Sequence, residues 1–180
     1  MEYFDVLDEN GEKTGKIKLR DDVHKDGDWH RVAHIWIVNN DGEVLLQRRS
    51  KDIEVYPDIW DMSCAGHLSA GDDSIDGALR ELKEEVGFDI DPKELQFVKT
   101  TKKSTIVREN YIDNEFEDLY ILRTDKKIED IKFPEDEISA VKFVPYKEFK
   151  KMVNENDSDL LRRDHEFKML FDIFDEEFDK

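Results

Sequence analysis

The chain has 180 residues, enough for one well-packed domain and too few for two comfortable ones. An apolar fraction of 38% and a charged fraction of 41% describe a modest core under a heavily charged surface, and 28 basic against 46 acidic residues leave a net charge of −18. That sign argues against a nucleic-acid polymer or an anionic membrane as partner and suits a collector of divalent cations, while eleven Phe, five Tyr and three Trp argue against disorder.

One cysteine excludes a disulfide framework and fits a reducing, cytoplasmic setting. Met1-Glu-Tyr-Phe-Asp does not begin a signal peptide, and no apolar run reaches the length of a membrane span. Residues 1–180 are expected to form a single domain, with 1–30 as an N-terminal hairpin extension. Tyr3–Leu7, the Gly11 turn and Lys16–Leu19 read as strand, turn and strand, whose edge could pair with a second copy in a homodimer. Val32–Val38 is an apolar run of the kind found in a strand covered on both faces, and Asn39-Asn-Asp-Gly42 turns it into Val44–Arg49. A loop over Lys51–Asp58 leads to Ile59–Ser63 and a glycine-punctuated stretch from Gly66 to Gly71. The spacing of Ala78, Leu79, Leu82 and Val86 predicts a helix capped by Asp72, Asp73 or Ser74 and ended by Gly87. Leu95–Thr101, Ser104–Glu109, Phe116–Arg123 and Ala140–Val144 read as strands, with Lys102–Asn114 as a variable loop region. Pro145 opens a short helix, and residues 160–178 form a closing amphipathic helix with Phe167, Leu170, Phe171 and Phe174 on its buried side. The class is α+β, an α/β/α layered domain with a mixed sheet.

Chemistry concentrates on the central helix. Glu81, Glu84 and Glu85 stand at i, i+3 and i+4 and so share a face, opposite Leu79, Leu82 and Val86. Unpaired, such carboxylates repel one another; a hard divalent cation, whose preferred ligands are carboxylate oxygens, removes the penalty. The competing reading is a solvated acidic face, common in a chain with 46 acids.

Written out, residues 66–88 run Gly66-His-Leu-Ser-Ala-Gly-Asp72, then Arg80-Glu81-Leu82-Lys83-Glu84-Glu85-Val86-Gly87-Phe88. This resembles the Nudix box, G-x5-E-x7-R-E-U-x-E-E-x-G-U, and departs from it only at Asp72, where the family has Glu. The hairpin before the box and Ser139–Pro145 after it also look like the family, so the resemblance covers most of the chain. It implies a Nudix-type α/β/α sandwich and hydrolysis of an organic pyrophosphate with Mg²⁺ or Mn²⁺. By resemblance Glu84 and Glu85 bind metal, Glu81 binds metal or positions the attacking water, and Arg80 orients a glutamate of the box. The backbone carbonyls at Ala65 and Gly66 supply a further ligand. Cations are what let so acidic a chain accept a diphosphate, and a nearby carboxylate serves as general base.

A second set resembles one branch of the same fold. His24, His30 and His67, with Asp113 and Glu115, are similar to the three histidines and two carboxylates that hold a metal in type 1 isopentenyl-diphosphate isomerases. Those enzymes place a cysteine directly before the Gly-His pair. Here that residue is Ala65, and Cys64 stands one position early, which on a strand points it to the opposite face. The isomerase branch also lacks the full box that this chain keeps. The sequence therefore resembles an isomerase-like subgroup of Nudix hydrolases acting on a small-molecule diphosphate, either a nucleoside diphosphate derivative or a small or isoprenyl diphosphate. The alternatives are a true isopentenyl-diphosphate delta-isomerase, against which Ala65 argues, and a non-catalytic binding module, against which the retained carboxylates argue. Arg20 and Arg48 are candidate phosphate ligands and Glu137 a candidate late acid. His34 and His165 are assigned to structure, and Cys64 to a small buried hydrophobe.

Overall fold

A computed structural model describes residues 1–178, so the last two residues of the expected 1–180 domain lie outside the described residues. The described chain is α+β, with a mixed sheet, an N-terminal hairpin and a C-terminal helix. In chain order the elements are β1 (Tyr3–Leu7), β2 (Lys13–Leu19), α1 (Arg20–Asp26), β3 (Trp29–Asn39), β4 (Glu43–Arg49), β5 (Trp60–Asp61), β6 (Cys64–His67), α2 (Ser74–Glu85), β7 (Leu95–Arg108), β8 (Tyr111–Thr124), β9 (Ile138–Pro145), α3 (Tyr146–Asn154) and α4 (Asp164–Phe178). Among the described residues no helix is long and apolar enough to cross a membrane.

Five elements depart from expectation. Helix α1 follows β2 directly, with Asp21 and Asp22 in its first turn and Gly27 closing it in the left-handed region. A short strand, β6, runs from Cys64 into the start of the glycine-punctuated stretch. Leu95–Thr101 and Ser104–Glu109 are one strand, β7, because Lys102 and Lys103 are held rather than looped out. Lys102 Nζ lies 4.1 Å from the Trp29 ring centre, and Lys103 Nζ lies 3.6 Å from a Glu117 carboxylate oxygen. Strand β8 accordingly begins at Tyr111, so Asp113 and Glu115 sit on a strand and the expected loop shrinks to a turn at Asn110. The closing helix starts at Asp164 instead of residue 160, since Leu160 bridges Trp60.

Two compact units divide these elements. One comprises Met1–Ile35, Ala65–Lys83 and Asp89–Ile121. In it β1 and β2 pair antiparallel from Tyr3↔Leu19 to Leu7↔Lys13, β1 passes to β3 at Leu7↔Trp29, and β7 pairs with β8. Phe4, Val6 and Val23 form a small core that binds α1 to the hairpin.

The other comprises Trp36–Cys64, Glu84–Phe88 and Leu122–Lys180. Strands β4 and β9 pair antiparallel from Glu43↔Pro145 to Arg49↔Ile138, with an irregularity at Arg48/Arg49. Trp36, Phe149 and Phe167 pack ring on ring at 5.4 to 5.9 Å between centres, as the expected buried side of α4 requires. A buried polar network sits among these rings. Arg163 donates to both Asp61 carboxylate oxygens, at 2.8 and 3.0 Å, and the Trp36 indole donates to Glu166 at 2.8 Å.

Burial raises the Asp61 carboxyl, but the charge of Arg163, its hydrogen bonds and the charge of Arg49 outweigh it and hold the group below the ordinary Asp value. Stability from a depressed carboxylate is present above the unfolded pKa and is lost as pH falls through the folded one. Asp61→Ala, which strands Arg163, is therefore expected to lower unfolding free energy by about 3 kcal/mol at pH 7. In chemical denaturation the gap between wild type and variant should narrow below about pH 4, where Asp61 begins to take up its proton.

Candidate active site

Helix α2 carries the three glutamates on one continuous helical segment, so their spacing holds in the structure. Their environments differ. Glu81 is buried, as are Gly77, Ala78 and Leu82, whereas Glu84 is exposed and Glu85 half-buried. Arg80 makes burial of Glu81 tolerable: Nη1 donates to Glu81 Oε1 at 2.7 Å, and Nη2 donates to the His67 carbonyl at 2.9 Å. The Asp72 carboxylate lies 3.7 Å from Arg80 Nε, beyond hydrogen-bond length, which is the shorter reach expected of Asp in place of Glu. Ala65 and Gly66 lie on β6. A methyl group at Gly66 would overlap the Glu81 carboxylate, so only glycine lets the strand backbone pass this close.

The structure brings His24, His30 and His67 together, with one ligand nitrogen of each within 4.8 Å of the others. They come from α1, the start of β3 and the end of β6. Two backbone carbonyls aim the buried rings. His24 Nδ1 lies 2.7 Å from the Arg20 oxygen, and His30 Nδ1 lies 3.1 Å from the Asp28 oxygen. A carbonyl only accepts, so each Nδ1 carries the proton and each Nε2 presents a lone pair. The Nε2 atoms of all three histidines are buried and have no hydrogen-bond partner, as has Asp113 Oδ1. Asp113 and Glu115 alternate along β8 and share a face. His24 Nε2 lies 3.4 Å from Asp113, while His30 and His67 lie 3.8 and 3.6 Å from Glu115. The Phe4 ring stacks on His67 and His30 at 4.9 and 5.5 Å, and Tyr111 stacks on His24 at 4.5 Å.

Charge here is out of balance. Burial, then repulsion from Glu115, pushes the Asp113 carboxyl up to about 7. Burial raises Glu115 as well, but the contact with His67 and the proximity of the His67, His34 and His30 rings more than reverse it. Burial and the nearby His67 take His30 down to about 3, so its ring is neutral at pH 7. Two imidazole lone pairs, those of His24 and His30, converge with the His67 ring beside two carboxylates, and the set fits a divalent cation of the kind that takes mixed nitrogen and oxygen ligands. The all-carboxylate set of α2 fits a harder ion such as Mg²⁺.

The remaining candidates lie apart in character. Arg20 donates to Glu2 at 2.6 Å beside the histidines. Arg48 is held by Asp58 at 2.7 Å and Asp159 at 2.9 Å, with Trp60 under its guanidinium, so its donors are already engaged. Glu137 is exposed one residue before β9, its carbonyl accepting from the Ser50 N–H. Sequence reasoning missed Tyr111 and the whole of α1. The first-turn acids and Gly27 are the signal that would have found the helix.

The profile of the NUDIX domain matches residues 28–164. Nudix hydrolase 3 of Arabidopsis thaliana is 40% identical over 178 residues, covering 96% of this chain; the chain spans only 23% of that protein's length. Isopentenyl-diphosphate Delta-isomerase 2 of Photorhabdus laumondii is 32% identical over 134 residues, covering 74% of this chain and 72% of the isomerase. A crystal structure from Deinococcus radiodurans superposes with a TM-score of 0.64 at 22% identity, covering 86% of this chain and 90% of that one, a likeness of fold. The chain belongs to the Nudix hydrolase family, enzymes that act on phosphorus-containing anhydrides.

Metal binding is open to direct measurement. Mn²⁺ added to chelator-treated protein is expected to raise the melting temperature, by about 2.7 kcal/mol of stabilisation at a hundredfold excess over the dissociation constant. His67→Gln should reduce that shift by the part the histidine set contributes. An equal shift in the variant would show that the histidines are not ligands.

Proposed function

We propose that the protein is a metal-dependent pyrophosphohydrolase of a small organic diphosphate. The observation that carries this reading is the buried Glu81 carboxylate, held by Arg80 on a helix that keeps Glu84 and Glu85. In this reading Glu84 and Glu85 hold Mg²⁺ or Mn²⁺ together with the carbonyls of Ala65 and Gly66. Such a cation supplies neutralisation of phosphate charge and acidification of water. Arg80 fixes Glu81, which serves as a ligand or takes the proton from the attacking water as general base. The water oxygen bonds to phosphorus while the bridging P–O bond breaks, its electron pair leaving with the departing group.

His24, His30, His67, Asp113 and Glu115 form the second metal set, and Arg20 receives a phosphate oxygen. Arg48 and Glu137 are the outer candidates of the same reading, which treats residues 1–180 as one catalytic domain. A cytoplasmic setting rests on the single-cysteine composition, and a homodimer on the outer edge of β2.

Isomerisation of isopentenyl diphosphate is the second reading, favoured by the histidine set and by similarity to the Photorhabdus laumondii isomerase. Alternation along β6 puts residue 65 on the face of His67, and that residue is alanine, which cannot deliver a proton to an alkene. Incubation with isopentenyl diphosphate and Mg²⁺, followed by NMR and a phosphate assay, separates the two. Released phosphate or pyrophosphate without dimethylallyl product is expected; robust dimethylallyl formation would overturn the hydrolase reading.

Glu84→Gln and Glu85→Gln should each lower turnover at least about 10²-fold, the scale of a lost electrostatic contribution. Melting temperature without metal should barely move. Full turnover in both variants would remove the helix from the mechanism.

A further inference from the structure

Arg20 occupies a junction. Its carbonyl aims His24, its N–H donates to the Glu2 carbonyl at 3.0 Å, and its guanidinium donates to the Glu2 carboxylate at 2.6 Å. The same guanidinium is within electrostatic reach of the Tyr111 hydroxyl, and the Tyr111 ring lies on His24. Arg20 thus stands on the wall of the histidine cluster with an anion already in its fork. The Glu2 carboxylate is also within electrostatic reach of the Arg80 guanidinium and the His67 ring. Burial raises its pKa, and the hydrogen bond and charge of Arg20, then the influence of His67 and Arg80, bring it below its usual value.

Little else holds Glu2. The ordered strand begins one residue later, Met1 is fully exposed, and the side chains of Glu2 and Arg20 are each 43% exposed. A half-exposed ion pair of this kind contributes little, so a better anion displaces it. A terminal phosphate is a better anion for a guanidinium: it carries up to two charges and offers three oxygens to a planar fork, against one charge and two oxygens for a carboxylate.

We propose that Glu2 is an internal competitor, holding on Arg20 the place taken by an unesterified terminal phosphate, so that the segment before β1 swings aside only for such a ligand. The proposal rests on the pyrophosphohydrolase reading and sharpens it. Diphosphate monoesters, whose terminal phosphate is dianionic, displace the carboxylate. Compounds whose two phosphates are both esterified, such as nucleotide sugars, bring a single charge to Arg20 and compete poorly.

The test uses methylenediphosphonate, which cannot be hydrolysed, titrated calorimetrically into the full chain with Mn²⁺. Glu2→Gln is expected to bind it about threefold more tightly, the modest gain that loss of a weak ion pair allows. Arg20→Gln should bind it about tenfold more weakly, and Glu2→Gln should add nothing in that background, as a shared interaction requires. Unchanged or weaker binding in Glu2→Gln overturns the proposal, as does the same gain with and without Arg20. Glu2 is exposed, so the single variant folds whatever becomes of Arg20→Gln. The two readings fail separately. Tighter binding in Glu2→Gln by a protein that hydrolyses no diphosphate keeps the competitor and removes the hydrolase, whereas hydrolysis with no effect of Glu2 does the reverse.

Discussion

Two backbone carbonyls, those of Arg20 and Asp28, direct the chemistry of the histidine cluster. By accepting from His24 and His30 at Nδ1, they oblige each ring to turn its other nitrogen inward as a lone pair. Lone pairs facing one another and a carboxylate neither hydrogen-bond nor pack well, and burying them is unfavourable unless a cation accepts them. The surrounding rings make that geometry rigid. Phe4 covers His30 and His67, Tyr111 covers His24, and α1 exists to put a carbonyl one turn before its histidine. A flexible cluster would relieve the conflict by rotating its imidazoles outward. This one is packed too closely to do so.

The protein has other buried acids, and the contrast with them is informative. Asp61 accepts two hydrogen bonds from Arg163 and one from the Met62 N–H. Asp118 accepts two from Arg31 and another from Thr100. Each carries its own cation and has its oxygens engaged, which is how buried charge is tolerated when it serves structure. Asp113 instead has an oxygen with no hydrogen-bond partner and is pushed toward neutrality. A group whose folded environment disfavours its charged form, next to imidazoles that could share a cation with it, is the pattern of a functional site.

Legibility from sequence followed the range of the forces involved. The glutamates and Arg80 could be read because a helix fixes their spacing locally, and the apolar runs of β3 and β4 because burial imposes its own periodicity. The burial of Glu81 was not legible because it depends on Arg80 and on the glycine at 66, contacts that helical periodicity does not encode. The join within β7 was hidden for a similar reason. Two adjacent lysines look like a turn until Trp29 and Glu117, both distant in sequence, are brought beneath them. The histidines were visible only as a resemblance, since nothing in the spacing of His24, His30 and His67 states that three separate elements bring one nitrogen of each within 4.8 Å.

The single cysteine shows how one position in register separates chemistries on a shared scaffold. Strand β6 is extended from Cys64 to His67, so alternate residues take opposite faces. His67 is turned toward Glu115, and residue 65 accompanies it on that side, whereas the buried Cys64 takes the other with Gly66. Exchanging the two would place a thiol on the histidine face, but it would also put a methyl group where Cys64 now fills a buried volume. Both sides of the strand therefore resist the slip, through packing on one and loss of the proton donor on the other. What the histidine face retains is three imidazoles and two carboxylates with no thiol among them.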